Sequence, residues 1–200
     1  MAAQTQPRLT PEEYLEIEYT AERRHEYYNG RIYLMAGGSP RHAIIIGNLQ
    51  ANLHAALRKR PCFVASSELR VAVSESGLYT YPDVVVACGE PKYAGNRGET
   101  LLTPTLLIEV LSPSTELLDR EFKAPQYQMM ETLQEYALVS QTEARVEVFR
   151  RQDSVNWLLS EFIGLDSAAH FDSINTSVSL ADVYAKVRFE QDGANRLNYD

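Results

Sequence analysis

Two carboxylates stand inside apolar segments of this chain. Asp83 precedes three consecutive valines, and Glu109 is flanked by leucine, isoleucine and valine. Because a buried carboxylate is costly, such a group is usually paired with a cation or bound to a metal ion. Lys123 and Tyr127 follow at a four-residue spacing, which places both side chains on one face of a helix. Two acids and a lysine in this order indicate a metal-ion site for phosphodiester hydrolysis.

The chemistry of such a site assigns a role to each residue. Mg²⁺ and Mn²⁺ prefer oxygen ligands, which Asp83 and Glu109 would supply, with the carbonyl of Val110 as a further ligand. Lys123 would stabilise negative charge in the transition state or orient the attacking water. Twenty-six positions (109 minus 83) separate the acids, enough for one strand, a loop and a neighbouring strand. The carboxylates can therefore lie side by side, with Asp119 and Gln126 near the lysine face.

Each of these residues also has a structural interpretation. Asp83 alone could cap a turn, and Glu109 could form a buried salt bridge with Lys123. Tyr127 is more typical of a packing aromatic than of a reactant. His42 and His54 lie on one predicted helix, where a lone histidine is more often structural than a ligand. The residues by themselves leave these alternatives open.

The composition indicates how many domains to expect and which kinds of partner are disfavoured. The 200 residues are 44% hydrophobic, enough for one substantial core, so we expect a single domain over 1–200 with flexible ends at about 1–8 and 190–200. Nineteen basic against 27 acidic residues give a net charge of -8, which argues against a protein that coats nucleic acid through bulk charge.

Cysteine content and hydropathy indicate the compartment. Cys62 and Cys88 are too few for a disulfide framework or a four-cysteine zinc site, and we expect a reducing environment. The N-terminal residues lack the apolar run of a signal peptide, and no later run approaches the length of a membrane span. The sequence therefore predicts a cytoplasmic protein without a membrane partner.

Local patterns predict a mixture of helices and strands. Thr10, Pro11 and Glu13 form a helix-start signature, and Asn29-Gly30 is the dipeptide favoured at a hairpin turn. Apolar residues at helical spacing predict a long helix over 41–60. A second helix is predicted over about 117–132, where Pro125 should kink it or mark a late start. A long polar loop over 89–103 separates the two carboxylate segments. The other predicted elements are strands over 62–66, 69–73, 83–88, 106–111, 135–139, 145–149 and 156–160, and a final helix from 179.

The quoted motifs, read together, resemble the Uma family of restriction endonucleases within the PD-(D/E)XK nuclease superfamily. The resemblance rests on segments 81–85 and 107–115 together with Asp119, Lys123 and Tyr127. It extends to the hairpin at 25–30, the helix start at 39–42 and the strand at 135–139. Only the extreme termini fall outside it.

This resemblance implies a fold and further site residues. The fold would be α/β (α+β), with a restriction-endonuclease-like core: a mixed central sheet flanked by helices, preceded by an N-terminal helix and hairpin. Glu26 would be an additional catalytic acid, and His42 would lie near the pocket. The superfamily pattern Glu-x-Lys would place lysine at position 111, where this chain has Leu111. Lys123 would then be the migrated lysine, reaching the same space from the following helix.

The leading functional hypothesis is a magnesium-dependent DNA endonuclease in which manganese can replace magnesium. A duplex cut requires two active sites or sequential nicking, so we expect a homodimer. The alternative is a nuclease-like module that binds or assembles without catalysis, and a third hypothesis is hydrolysis of another phosphate ester. Candidate contacts to DNA phosphates are Arg23, Arg24, Arg41, Arg58, Lys59 and Arg60.

Overall fold

The computed structural model describes residues 8–35, 37–95 and 98–189. Its helices are α1 (Pro11–Thr20), α2 (Pro40–Leu57), α3 (Ala124–Gln128) and α4 (Leu180–Val183). A π-helical segment (Leu118–Lys123) leads directly into α3, and a 3₁₀ turn spans Asp172–Ile174. The strands are β1 (His25–Tyr28), β2 (Arg31–Leu34), β3 (Cys62–Ser66), β4 (Arg70–Val73), β5 (Leu78–Thr80), β6 (Val84–Cys88), β7 (Tyr93–Ala94), β8 (Thr100–Leu101), β9 (Leu106–Val110), β10 (Glu135–Val139), β11 (Arg145–Arg151), β12 (Trp157–Ile163), β13 (Ala168–Phe171) and β14 (Thr176–Ser179).

The strands form two six-stranded sheets and a small hairpin. The central sheet has the order β12-β11-β10-β9-β6-β3, and the second sheet has the order β2-β1-β5-β4-β8-β7. Strands β9 and β10 are parallel, whereas β6 and β9 are antiparallel, so the central sheet is mixed. This architecture confirms the predicted fold class, a mixed sheet flanked by helices with an N-terminal helix and hairpin.

Strands β6, β9 and β10 of the central sheet are buried on both faces, and strand periodicity decides which side chains reach each face. Ile108 and Val110 of β9 pack with Leu49 and Leu53 of α2 on one face. Leu107 packs with Tyr127 and Tyr136 on the other face, in a second core cluster. Glu109 shares its alternation with Leu107 and therefore emerges on the α3 side.

The first helix and the hairpin begin as the sequence predicts. Thr10 and Glu13 form a complete capping box at the start of α1, with Pro11 in its first turn. Asn29 and Gly30 have φ values of 49° and 81°, the left-handed conformation that a tight hairpin turn requires. Among the described strands, β2 pairs with β1 alone and lies at the edge of its sheet.

The start of α2 is fastened to the central sheet by a polar contact. The Ser39 hydroxyl accepts a hydrogen bond from the His42 amide and donates one to the Gln141 amide oxygen, at 3.1 and 2.8 Å. Gln141 in turn donates to the carbonyl of Leu111, at the end of β9, at 2.6 Å. This chain of bonds holds the first turn of α2 beside the strand that carries Glu109.

The predicted helices and strands form, with differences in their bounds and a few additions. The predicted loop over 89–103 contains the short strands β7 and β8, and β5, β13 and β14 were not predicted. The helix predicted over 117–132 ends at Gln128 and is divided, because Pro125 lies in the first turn of α3. The predicted flexible ends lie outside the described residues, except that Arg8 contacts Asn29.

Two cysteines form no disulfide framework, as expected, but the sequence analysis did not predict that they pair with each other. Cys62 and Cys88 are joined by a disulfide that closes a loop of sequence separation 26. The physical reason is register, because the two residues are direct partners in the antiparallel pair β3 and β6. Pairing between distant strands is a tertiary property that the count of cysteines does not contain.

In the part of the chain that the structure describes, no helix combines the length and apolar character needed to cross a membrane.

Candidate active site

The two predicted acids are direct neighbours. Strands β6 and β9 pair antiparallel, with Val84 opposite Ile108, so Asp83, the residue directly before β6, lies opposite Glu109. The Asp83 amide donates to Glu109 Oε2 at 3.2 Å, and the Val110 amide donates to Asp83 Oδ2 at 2.8 Å. Each acid is therefore oriented by the backbone of the other strand, as the 26-residue separation predicts.

Lys123 lies at the centre of three carboxylates. Its Nζ is 2.9 Å from Glu26 Oε1, 3.3 Å from Glu109 Oε1 and 3.3 Å from Asp119 Oδ1. The Lys123, Glu109 and Asp119 side chains are all buried. The structure thus brings together Glu26 from the hairpin, Glu109 from β9 and the π-helical residues Asp119 and Lys123.

Tyr127 and Thr80 extend this cluster. The Tyr127 hydroxyl donates to Glu109 Oε1 at 3.0 Å and lies 3.2 Å from the Thr80 hydroxyl, which donates to Glu26 Oε1 at 2.5 Å. Lys123 and Tyr127 therefore share one face, as their spacing predicts. Thr80 was missed by sequence reasoning. Its signal was a small polar residue in an otherwise apolar and aromatic strand, directly before Tyr81.

His42 reaches the acids from the first turn of α2. Its Nε2 lies 3.1 Å from Asp83 Oδ2, and the ring also hydrogen-bonds to the backbone of Val110. Gly38 packs against the ring, since a Cβ at that position would lie 2.5 Å from His42 Nδ1. The histidine that the resemblance placed near the pocket therefore contacts two of the predicted metal-site residues.

The charges of the cluster influence each other. Burial raises the pKa of Glu109 to about 8; Lys123 opposes this rise, and the nearby carboxylates add to it. Burial lowers the pKa of Lys123, but the surrounding carboxylates outweigh it and keep the ammonium charged. For His42, burial lowers the pKa, and the contact with Asp83 more than compensates. Three carboxyl groups thus surround one buried cation.

Most of the predicted site residues line one cavity of about 480 Å³. Glu26, His42, Asp83, Glu109, Val110, Asp119 and Lys123 belong to its lining. Tyr127 contacts the site from behind Glu109, and Gln126 is not among the lining residues. None of the six predicted phosphate contacts lines the cavity. Arg41 lies beside it and donates to the carbonyl of the lining residue Gln141 at 3.2 Å. Arg24 pairs with Glu68 at 2.7 Å, and Arg60 donates to the Ile174 carbonyl.

The acids fit a hard divalent cation. No three His, Cys, Asp or Glu side chains among the described residues are arranged as a ready metal-binding group. Mg²⁺ needs fewer protein ligands, because it usually keeps several waters and binds through one or two carboxylates. Among the described residues, His42 and Val110 hydrogen-bond to Asp83, and both bond to its Oδ2 atom. The Oδ1 atom is therefore available to bind a metal ion. Asp83 and Glu109 thus form a suitable donor pair.

Comparison with known proteins gives consistent matches. Residues 11–181 match the model of the Uma2 family, described as "Putative restriction endonuclease". Two uncharacterized proteins of Synechocystis sp. are similar along nearly their whole length. The protein slr1290 is 35% identical over 92% of this chain and 95% of its own length, and sll1609 is 34% identical over 86% and 97%.

A solved structure supports the same fold. A protein from Anabaena variabilis, described as "a putative nuclease belonging to DUF820", superposes with a TM-score of 0.67 at 21% identity. The match covers 88% of this chain and 98% of the other. The family match, the two relatives and the shared fold agree, and this chain belongs to the Uma2 family.

Proposed function

We propose that this protein is a magnesium-dependent DNA endonuclease in which manganese can replace magnesium. The observation that carries the proposal is the meeting of Asp83, Glu109 and Lys123 in one cavity. The family description and the fold of the Anabaena protein support the same class of chemistry. Two oxygen-donor acids beside a buried ammonium are the groups that hydrolysis of a phosphodiester needs.

The contacts of each residue suggest its role in catalysis. Asp83 and Glu109 would hold the cation, with the carbonyl of Val110 as a further ligand. The bound metal ion would polarise the phosphate and lower the pKa of a water molecule. Lys123 would then place its positive charge against a phosphate oxygen or orient the attacking water.

Glu26 would position Lys123 and stabilise its charge through their ion pair. Its carboxylate is the nearest of the three to Lys123 Nζ, at 2.9 Å, and its position is set by the Thr80 hydroxyl. Glu26 and Asp119 would keep the ammonium charged and aimed at the cavity when Glu109 turns to the metal ion. Cleavage would leave one phosphate end and one hydroxyl end.

The first test is cleavage of supercoiled plasmid by the purified protein with Mg²⁺, with Mn²⁺ and with a chelator. We expect metal-dependent cleavage that falls at least about 100-fold in Glu109→Gln. Glu161→Gln is the matched control, because Glu161 also lies on a strand but is half exposed and outside the cavity lining. Equal cleavage by wild type and Glu109→Gln would contradict the proposed site.

The change in melting temperature on adding Mn²⁺ distinguishes the nuclease proposal from the alternative functions. An intact metal site is stabilised by Mn²⁺ according to RT ln(1 + [L]/Kd), and Asp83→Ala should abolish the shift. A Mn²⁺ shift without plasmid cleavage would favour hydrolysis of another phosphate ester. The absence of both would favour a nuclease-like binding or assembly module.

We also propose a single domain over 1–200 that acts as a homodimer. The argument is symmetry, because a duplex cut by one-site subunits needs two copies or two successive nicks. Sedimentation velocity of the full chain at micromolar concentration tests the dimer.

A further inference from the structure

Strand β2 exposes several large apolar side chains to solvent. Its three central and C-terminal residues are all exposed: Ile32 by 37%, Tyr33 by 48% and Leu34 by 50%. Edge strands of this kind usually carry polar or charged side chains, which prevent unwanted pairing. Large apolar side chains on both faces of an exposed strand do not contribute to a core and are typical of a binding surface.

This surface adjoins the proposed active site. Tyr33 is the direct cross-strand partner of Glu26, so the two side chains lie on the same face of the hairpin. Glu26 contacts Lys123, and both Tyr33 and Leu34 line the cavity that contains the acids. Leu118, 42% exposed, adds apolar surface to the same lining from the π-helical segment.

The Tyr33 side chain is about half exposed. It takes part in none of the aromatic pairs among the described residues, unlike Tyr27 and Tyr28 of β1. A half-exposed ring without an aromatic partner can accept a flat ligand. Nucleobases stack on such rings irrespective of sequence.

The charge of the cavity disfavours binding through phosphates alone. Lys123 is the one lysine or arginine in the described lining, which also holds four carboxylates: Glu26, Asp83, Glu109 and Asp119. Affinity for an intact duplex comes mainly from cations on its phosphates. With so few cations in the lining, contacts with the bases must supply more of the binding energy.

We propose that the cavity takes an unpaired nucleotide, whose base stacks on Tyr33 against the apolar rim while its phosphate reaches Lys123. The inference rests on the proposed nuclease function and specifies its substrate class as single-stranded or locally unpaired nucleic acid. Bases in a duplex are stacked and paired, so their faces are not available to the ring.

The test is binding of a 20-nucleotide strand that contains 2-aminopurine, free or in a blunt duplex, with a chelator present to prevent cleavage. The wild type should bind the free strand at least tenfold more tightly and quench its fluorescence. Tyr33→Ala should weaken strand binding by about 5- to 100-fold, and Tyr33→Phe should retain it. Tyr93→Ala is the matched control, because Tyr93 is 43% exposed but outside the cavity lining.

The outcomes separate this inference from the nuclease proposal. Equal affinity for strand and duplex, or no effect of Tyr33→Ala, overturns the inference even if plasmid cleavage is lost in Glu109→Gln. Tyr33-dependent strand binding supports it even if neither the plasmid nor the free strand is cleaved with Mg²⁺, and in that case only the catalytic proposal fails. Circular dichroism of each variant shows that the fold is retained.

Discussion

Gly38 helps to position the imidazole of His42 because it has no side chain. Gly38 leaves the space in which the ring lies, and a Cβ there would come within 2.5 Å of His42 Nδ1. The ring in turn contacts Asp83 Oδ2 at 3.1 Å. A group that orients a metal ligand typically changes metal affinity or activity 10- to 100-fold when it is lost. Gly38 is therefore important for the site although it contacts no ligand.

Gly38→Ala should displace His42 from Asp83 and lower both Mn²⁺ affinity and plasmid cleavage by about tenfold. The melting temperature should change little, because Gly38 has no positive φ and the displaced group is the end of a flexible side chain. Isothermal titration with Mn²⁺ and a cleavage assay measure the two effects.

Gly37→Ala provides the control for this substitution. Gly37 is the neighbouring glycine, also without a positive φ, and a Cβ there would meet nothing within 4 Å. Wild-type behaviour of both variants would show that the His42 position does not matter to the metal site.

The residues that the sequence revealed are those whose chemistry conflicts with their surroundings. Glu109 was found because a carboxylate in an apolar strand needs a partner. Lys123 was found because it shares one face of the helix predicted after that strand with Tyr127. Thr80 and Gly38 were missed, because a hydroxyl or a missing Cβ acquires a role only when tertiary packing brings it to Glu26 or His42.

At the level of elements, the π-helical segment places Lys123. Pro125 has no amide hydrogen, so the α-helical bond from residue 125 to the carbonyl of Glu121 cannot form. The Ala124 amide instead bonds to the carbonyl of Asp119, five residues earlier. π-helical turns are uncommon and often occur at functional sites. Here the turn contains both Asp119 and Lys123, which contact each other at 3.3 Å.

Pro125→Ala should allow regular α-helical bonding and rotate Lys123 away from Glu109. We expect cleavage to fall by about 100-fold, as for a misplaced catalytic group. The melting temperature should change little, because the new backbone hydrogen bond offsets the extra conformational freedom that alanine gives the unfolded chain. Glu121→Ala is the control, because it alters an exposed side chain of the same segment without a new backbone donor. Unaltered cleavage by Pro125→Ala would mean that the π-helical turn does not position the lysine.

The elements differ in how well the sequence predicts them. Continuous apolar runs such as β6, β9 and β10 were found because a fully buried strand has few polar positions. β7 and β8 were missed, since two-residue strands have no period to detect. The sequence predicted a kink or a late start at Pro125, but apolar periodicity does not distinguish a π-helical turn from an α-helical one.

For the whole molecule, the negative net charge disfavours binding of nucleic acid through its phosphates. A net charge of -8 repels phosphates at long range, and the described cavity lining holds only Lys123 as a cation. Each phosphate contact on a single strand adds about -0.7 to the slope of log K against log salt. A protein that binds through stacking and one or two phosphate contacts should therefore have a shallow slope.

We expect a slope between about -0.7 and -1.5 for binding of the free strand, measured by fluorescence titration over a range of salt concentrations with a chelator present. A slope steeper than about -4 would contradict the stacking account and indicate a basic surface outside the cavity. Arg58 and Lys59, exposed at the end of α2, are the first candidates for such a surface. Arg58→Gln with Lys59→Gln would then reduce the slope, whereas under the stacking account the double variant behaves as wild type.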